Sequence, residues 1–258
     1  MKLRQHHRQL RALEFSDGRR VEIHPSNNNQ NKSFVLDKVD VTIPTGPSTV
    51  LIRSLTFSLN IPSSLIVTGS SGCGKSSLLR LLAGLQYNLT DNSSLTVPSR
   101  SATIFIPQQV YLIEGTLREQ LNYFRQARNM SMYTNDQKLK DLLLKFNISH
   151  LIDRYTFDSS VQLWSRTLSL GEQQRLIIVV ALLTLFSPID SDTPVKYFIL
   201  DETTAGCDEL TEKTIYEYLQ NSNIQFISIS HRSQLIKYHT HQLIINPIDQ
   251  SYELIRLS

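Results

Sequence analysis

An α/β core, with an antiparallel β region ahead of it and a helical block inserted into it, is predicted by three features of this 258-residue chain. Residues 64–68 (SLIVT) form a short apolar run of the kind buried in the middle of a parallel sheet. Residues 109–186 read as mostly helical, and apolar strand-like runs return at 195–200 and 224–229. Strands on both sides of a block of helices make that block an insertion in an α/β core.

Taken in order, residues 1–33 stand apart as a tail or linker: a basic opening, then the polar run PSNNNQNKS at 25–33. FVLDKVDVTI at 34–43 and TVLIRSLTFSLNI at 49–61 alternate apolar and polar residues, with a turn at Pro44-Thr45-Gly46-Pro47 between them. A helix is expected from Lys75 to about Leu85, then a strand at 102–106. TLREQLNYF, NDQKLKDLLLKF and GEQQRLIIVVALLTLF place apolar residues three or four apart, as helices do, and bound a helical subdomain at about 110–186. A further helix is expected at 209–219, and HQLIINPIDQSYELIRL reads as a hairpin around Asn246-Pro247.

Composition narrows the class. Hydrophobic residues at 40% and charged residues at 19% are too apolar a mixture for disorder. A net charge of +3 lacks the basic stripe of a dedicated nucleic-acid binder, so no nucleic-acid partner is expected. Two cysteines cannot support a disulfide scaffold and point to a reducing compartment. The apolar run at 176–189 falls short of the about 20 residues that cross a bilayer and reads as a buried helix. The opening MKLRQHHRQLRALEF has no apolar segment, so no targeting signal is found.

Gly69-Ser70-Ser71-Gly72-Cys73-Gly74-Lys75-Ser76 fits G-x-x-x-x-G-K-S, follows a buried strand and opens a helix. Its glycines let the backbone curl until several N–H groups converge on phosphate oxygens, and the helix start adds a favourable dipole. These residues and the adjoining Ser77 are the expected phosphate cradle. Lys75 is expected to bridge the β- and γ-phosphates, and the Ser76 hydroxyl to ligate Mg²⁺. The run YFILDE at 197–202 is an apolar strand ending in two carboxylates. Asp201 is the expected metal-side acid, and Glu202 suits a base that deprotonates a water attacking the γ-phosphate. In LSLGEQQR at 168–175, Ser169 and Gly171 precede an apolar helix. They make either an anion-binding helix start or an ordinary serine cap, and spacing alone does not separate the two.

In its order of P-loop, Pro107-Gln108, LSLGEQQR, FILDE and ISISHR, the sequence resembles the nucleotide-binding cassette of ABC transporters over residues 34–258. The resemblance implies a P-loop NTPase fold, with an antiparallel β subdomain and an inserted helical subdomain, that binds and hydrolyses ATP with Mg²⁺. It implies that Gln108 senses metal and γ-phosphate and relays their presence to a transmembrane partner. Ser169 and Gly171 would contact the γ-phosphate bound by a second cassette, homologous or identical, in a head-to-tail dimer. Asp208 would lie at that dimer interface, and His231 would contact the γ-phosphate. Trp164, five residues before Ser169, and the stretches IPQQVYLIEGTLREQLNY and FISISHRSQLIKYH look like subfamily D, the peroxisomal and lysosomal half-transporters, and related bacterial exporters.

Three positions depart from the family pattern. Leu170 replaces the second signature glycine, Ile43 stands where many cassettes carry an adenine-stacking aromatic, and AGCD at 205–208 stands where SALD is common. The expected setting is the cytosolic face of a membrane, peroxisomal or lysosomal in a eukaryote, with the transmembrane domain absent from this chain. A soluble, non-transport ABC ATPase and an ATP-binding module with little turnover are the alternatives.

Overall fold

The computed structural model describes residues 12–14, 20–24, 32–43, 49–86, 93–161, 163–186, 196–222 and 224–257. They divide into two compact units, one formed by residues up to 105 with 196–201 and 223–258, the other by 106–195 with 202–222.

The first unit begins with β1 (Ala12–Glu14), β2 (Arg20–His24), β3 (Lys32–Thr42), β4 (Val50–Asn60) and β5 (Leu65–Gly69). It continues with α1 (Lys75–Leu82), β6 (Ser94–Pro98) and β7 (Thr103–Ile106). One sheet has the order β1-β2-β6-β3-β4. Its β3/β4 pair is the predicted antiparallel ribbon, but β2 runs parallel to β6, so the region is not wholly antiparallel. Residues 12–14 and 20–24, inside the segment read as a tail, are therefore strands. Each run is too short for alternation to stand out from its polar surroundings. The turn expected at 44–47 lies outside the described residues.

Two left-handed residues, Lys38 (φ 51°) and Ser54 (φ 47°), break the β3/β4 register. Polar side chains take up the displaced backbone donors, Lys38 N–H to Thr56 Oγ1 at 2.9 Å and Ser54 N–H to Asp40 Oδ1 at 2.7 Å. Extra residues at such bulges bend the strand and re-aim its side chains.

The second sheet adds β10 (Tyr197–Asp201), β11 (Gln225–Ile229), β12 (His241–Asn246) and β13 (Ser251–Arg256), in the order β13-β12-β5-β11-β10-β7. Strand β5 lies between β11 and β12, parallel to both, which is why its side chains are apolar on both faces. The predicted hairpin is β12/β13, in unbroken register from His241↔Arg256 to Asn246↔Ser251. Phe34, Leu55, Leu59, Leu78, Leu95, Ile199 and Ile227 belong to one buried cluster. Helix α1 ends three residues before the predicted Leu85 because Gly84 turns left-handed (φ 67°). Leu85 N–H then reaches Arg80 O at 2.9 Å and Gly84 N–H reaches Leu81 O at 3.0 Å, the paired bonds of a Schellman stop.

Behind β11 sits a histidine that no motif marks. His239 follows a 3₁₀ turn at Ser233–Tyr238 and is 5% exposed. The carbonyl of Leu235 can only accept, so Nδ1 donates to it at 2.8 Å while Nε2 takes the Ser228 hydroxyl at 2.8 Å. Burial lowers its pKa from 6.5 to about 4, against the pull of the Leu235 carbonyl. The folded protein thus binds this proton less readily than the unfolded chain. Stability is complete above pH 6.5 and declines as pH falls to about 4, by roughly 3 kcal/mol in all. Urea midpoints at pH 7.5 and pH 5 are expected to show most of this loss in the wild type and a flatter response in His239→Gln.

The second unit contains β8 (Gly115–Thr116), α2 (Leu117–Ala127), α3 (Asp136–Lys145), α4 (His150–Tyr155) and β9 (Ser160–Val161). It is completed by α5 (Trp164–Thr167), α6 (Leu170–Leu182) and α7 (Glu209–Asn221). Helix α2 opens with a capping box in which Thr116 and Glu119 exchange bonds at 3.1 and 2.7 Å. Arg118 donates to Asp136 and to Asp158, each at 2.7 Å, so the start of α2 is tied to the start of α3 and to the turn after α4. Trp164, 1% exposed, donates its indole N–H to Gly115 O at 3.0 Å, joining the approach to α6 to the approach to α2. The apolar run read as one buried helix at 176–189 is helical only to Leu182, where a 3₁₀ turn at Leu183–Leu185 takes over; residues 187–190 lie outside the described residues. Among the described residues, no helix is long and apolar enough to cross a membrane.

Candidate nucleotide-binding site

The phosphate-binding loop joins β5 to α1 in the first unit. Gly69, Gly72 and Gly74 have φ of 147°, 78° and 104°, a run that side-chain-bearing residues resist. A Cβ on Gly74 would also lie 2.9 Å from the Leu51 Cβ, so glycine is required there twice over. Gly74 is the N-cap of α1 without any side-chain cap, which leaves the helix's first N–H groups to the loop's ligand. Lys75 is 6% exposed and folds back so that Nζ donates to Gly69 O at 3.0 Å and Ser70 O at 2.8 Å. Its charge is thereby fixed over the loop. Cys73 is buried and its side chain belongs to the hydrophobic cluster of this unit.

At the end of β10, Asp201 is 2% exposed and accepts the Ser76 hydroxyl at 3.0 Å. A serine hydroxyl and a carboxylate side by side are hard oxygen donors, the chemistry that suits Mg²⁺. His231, exposed, follows the C-terminal end of β11. Ile43 is half-buried at the end of β3, and its N–H donates to Thr49 O at 3.3 Å.

In the second unit, Glu202 has the left-handed φ of 49°, which costs an L-residue about 1–2 kcal/mol and persists where neighbours over-determine it. One such neighbour is Gln108, whose side-chain N–H donates to Glu202 Oε2 at 2.8 Å. The glutamine expected to sense metal and phosphate therefore holds the expected base directly, a contact that sequence spacing does not reveal.

Ser169 is the N-cap of α6 in a second capping box. Its N–H and its hydroxyl both donate to Glu172 Oε2 at 2.8 Å, and Glu172 N–H returns to Ser169 Oγ at 3.3 Å. The cap reading is thus realised, with the Glu172 N–H of the first turn taken up by Ser169. Glu172 Oε1 is held by His150 at 2.6 Å and by Arg154 at 3.4 Å. Burial would raise the Glu172 carboxyl, but the bonds from His150 and Ser169 outweigh it and bring its pKa down to about 2. The stabilisation is full above the ordinary carboxylate value of 4.5 and is lost as pH falls toward 2. Glu172→Ala removes the box and is expected to cost about 1–2 kcal/mol at pH 7, read as a lower urea midpoint.

Gly171 faces the turn that follows Glu202. A Cβ on Gly171 would collide with the Gly206 carbonyl oxygen, so only glycine lets the helix start and the turn meet. Asp208, expected at a dimer interface, is the N-cap of α7, accepting Thr211 N–H at 2.9 Å and Thr211 Oγ1–H at 2.8 Å. These bonds lower its pKa. Leu170 and Leu210, on the first turns of α6 and α7, are 57% and 73% exposed.

A glycine loop that curls into a helix start after a strand flanked by parallel neighbours, its serine bonded to a strand-end aspartate, defines a P-loop nucleotide-binding domain. Comparison with known proteins sharpens that class. The family profile described as ABC transporter matches residues 52–205, and the chain belongs to that family as an ATP-binding cassette. It is 37% identical to an uncharacterized ABC transporter ATP-binding protein of Synechocystis, over 76% of this chain and 27% of that one. It is 32% identical to the chloroplastic ABC transporter D family member 2 of Arabidopsis thaliana, over 84% and 35%. It is 33% identical to the lysosomal cobalamin transporter of Homo sapiens, a member of subfamily D, over 81% and 33%. The chain spans about a third of the length of these curated relatives. A bacterial Atm1-family ABC exporter solved with ATP bound has the same fold, with a TM-score of 0.70 at 20% identity, covering 97% of this chain and 42% of the exporter.

Proposed function

We propose that this chain is the motor of a subfamily D half-transporter: it pairs head-to-tail with a second cassette around ATP, hydrolyses it and reopens, and so drives a transmembrane domain. The observation that carries this reading is the pair of carboxylates at the end of β10, Asp201 bonded to Ser76 and Glu202 bonded to Gln108. The two acids follow one another in the chain yet have different partners, which suits one to metal and the other to water. Ser76, Asp201 and Gln108 would hold Mg²⁺, which when bound would neutralise charge on the β- and γ-phosphate oxygens.

The loop's N–H groups and Lys75 would bind the phosphates, their charge fixed before ATP arrives. Gln108 would orient Glu202, whose carboxylate would take a proton from a water as the water oxygen bonds to the γ-phosphorus. The bond from that phosphorus to the bridging oxygen breaks, leaving ADP and phosphate. His231 would contact the γ-phosphate, and Ser169 and Gly171 would contact the one bound by the partner cassette, with Asp208 beside them. Resemblance to subfamily D supports placement on the cytosolic face of an organelle membrane.

Phosphate release by the purified chain tests this reading. If each site needs two cassettes, the rate at low protein concentration rises with the square of that concentration. A strictly linear rise would contradict a shared site.

A further inference from the structure

We propose that Gln174 is a positioning residue for hydrolysis, holding the turn at 205–208 and the backbone of Glu202 on the helix that begins after Ser169. The inference rests on the reading of Glu202 as the base. Gln174 lies in α6 and is 2% exposed. Its Oε1 accepts the Gly206 N–H at 2.7 Å, and its Nε2 donates to the Glu202 carbonyl at 3.5 Å. One side-chain amide thus reaches the backbone of the base and the backbone four residues further on. An amide both accepts and donates across a single planar group, which neither a carboxylate nor an ammonium does.

Its surroundings make it the fixed point of this segment. Residues 202–208 contain no helix or strand, and they begin with the left-handed Glu202. At the far side, Thr204 Oγ1 donates to the buried Glu212 of α7 at 2.6 Å. At the near side, Gly206 touches Gly171, and a Cβ on Gly206 would lie 3.0 Å from Gln174 Oε1. The turn is therefore seated on α6 by a contact that only glycines permit and by the two ends of one amide. The neighbouring Gln173 does something else, donating to Ser165 O and Leu168 O at 3.0 and 2.8 Å. A shift at the start of α6 would thus be carried by Gln174 to the base.

The full chain and its Gln174→Met and Gln174→Glu variants are compared in ATP hydrolysis, with urea midpoints measured in parallel. Methionine keeps the length and loses both bonds. The expected result is kcat lower by about 10- to 100-fold, the scale on which small misplacements of catalytic groups act, with KM for ATP within about twofold. Glutamate keeps the acceptor for Gly206 N–H but loses the donor to the Glu202 carbonyl, so it is expected to recover only part of kcat, between Gln174→Met and the unaltered chain. A wild-type kcat in Gln174→Met, or an equal loss in Gln174→Glu, would overturn the proposal alone. Absence of turnover in the unaltered chain would instead overturn the reading of Glu202, and the proposal with it.

Discussion

Glu202→Gln is expected to lower ATP turnover by roughly 10²- to 10⁴-fold, the contribution of a general base, while nucleotide binding stays intact. The substitution is nearly isosteric, so it tests charge rather than shape. Gln108 now donates to Glu202 Oε2 at 2.8 Å, and an amide oxygen at residue 202 can accept the same bond. The left-handed backbone at 202 depends on its surroundings and is expected to persist. What is lost is the ability to take a proton from water. Turnover is read as phosphate release and binding as titration with ATP. A wild-type rate in this variant would remove Glu202 from the role of base.

Lys75→Ala is expected to fail at an earlier step. The ammonium is held over the loop by Gly69 O and Ser70 O, and it is the charged side chain placed within the curl of backbone N–H groups. A charge-assisted bond from a fixed cation to phosphate contributes about 1.5–3 kcal/mol, so ATP affinity should fall by about 10- to 100-fold. Isothermal titration with a non-hydrolysable ATP analogue measures this directly. The expected asymmetry is that Lys75→Ala weakens binding, whereas Glu202→Gln weakens only turnover.

Much of the fold was legible because single strong patterns govern it. The apolar run at 64–68 could be buried only between two strands, and β11 and β12 flank it. The glycine loop announced itself, since φ above +70° at Gly72 and Gly74 demands glycine. The strands β2 and β6 carry little local signal because pairing with segments distant in the chain holds them in the sheet, and β1 is only three residues long. The end of α6 was read too late because periodicity is blind to where a helix tightens into a 3₁₀ turn.

In the site, motif order led to the elements but not to their mutual contacts. Gln108 and Glu202 are 94 residues apart, and nothing local links them. Gln174 stood beside Gln173 in the same polar helix start, yet one faces the turn after Glu202 and the other faces the loop before Ser169. The anchoring of Glu172 by His150 and Arg154 depends on where α4 packs, which neither residue's spacing from LSLGEQQR discloses.

Pairing of two cassettes around ATP is the central claim, and sedimentation of the full chain carrying Glu202→Gln, which should bind ATP without consuming it, tests it most directly. With Mg²⁺ and ATP the sedimenting mass should double, and with ADP it should remain that of one chain. A single-chain mass at saturating ATP would contradict a shared ATP site.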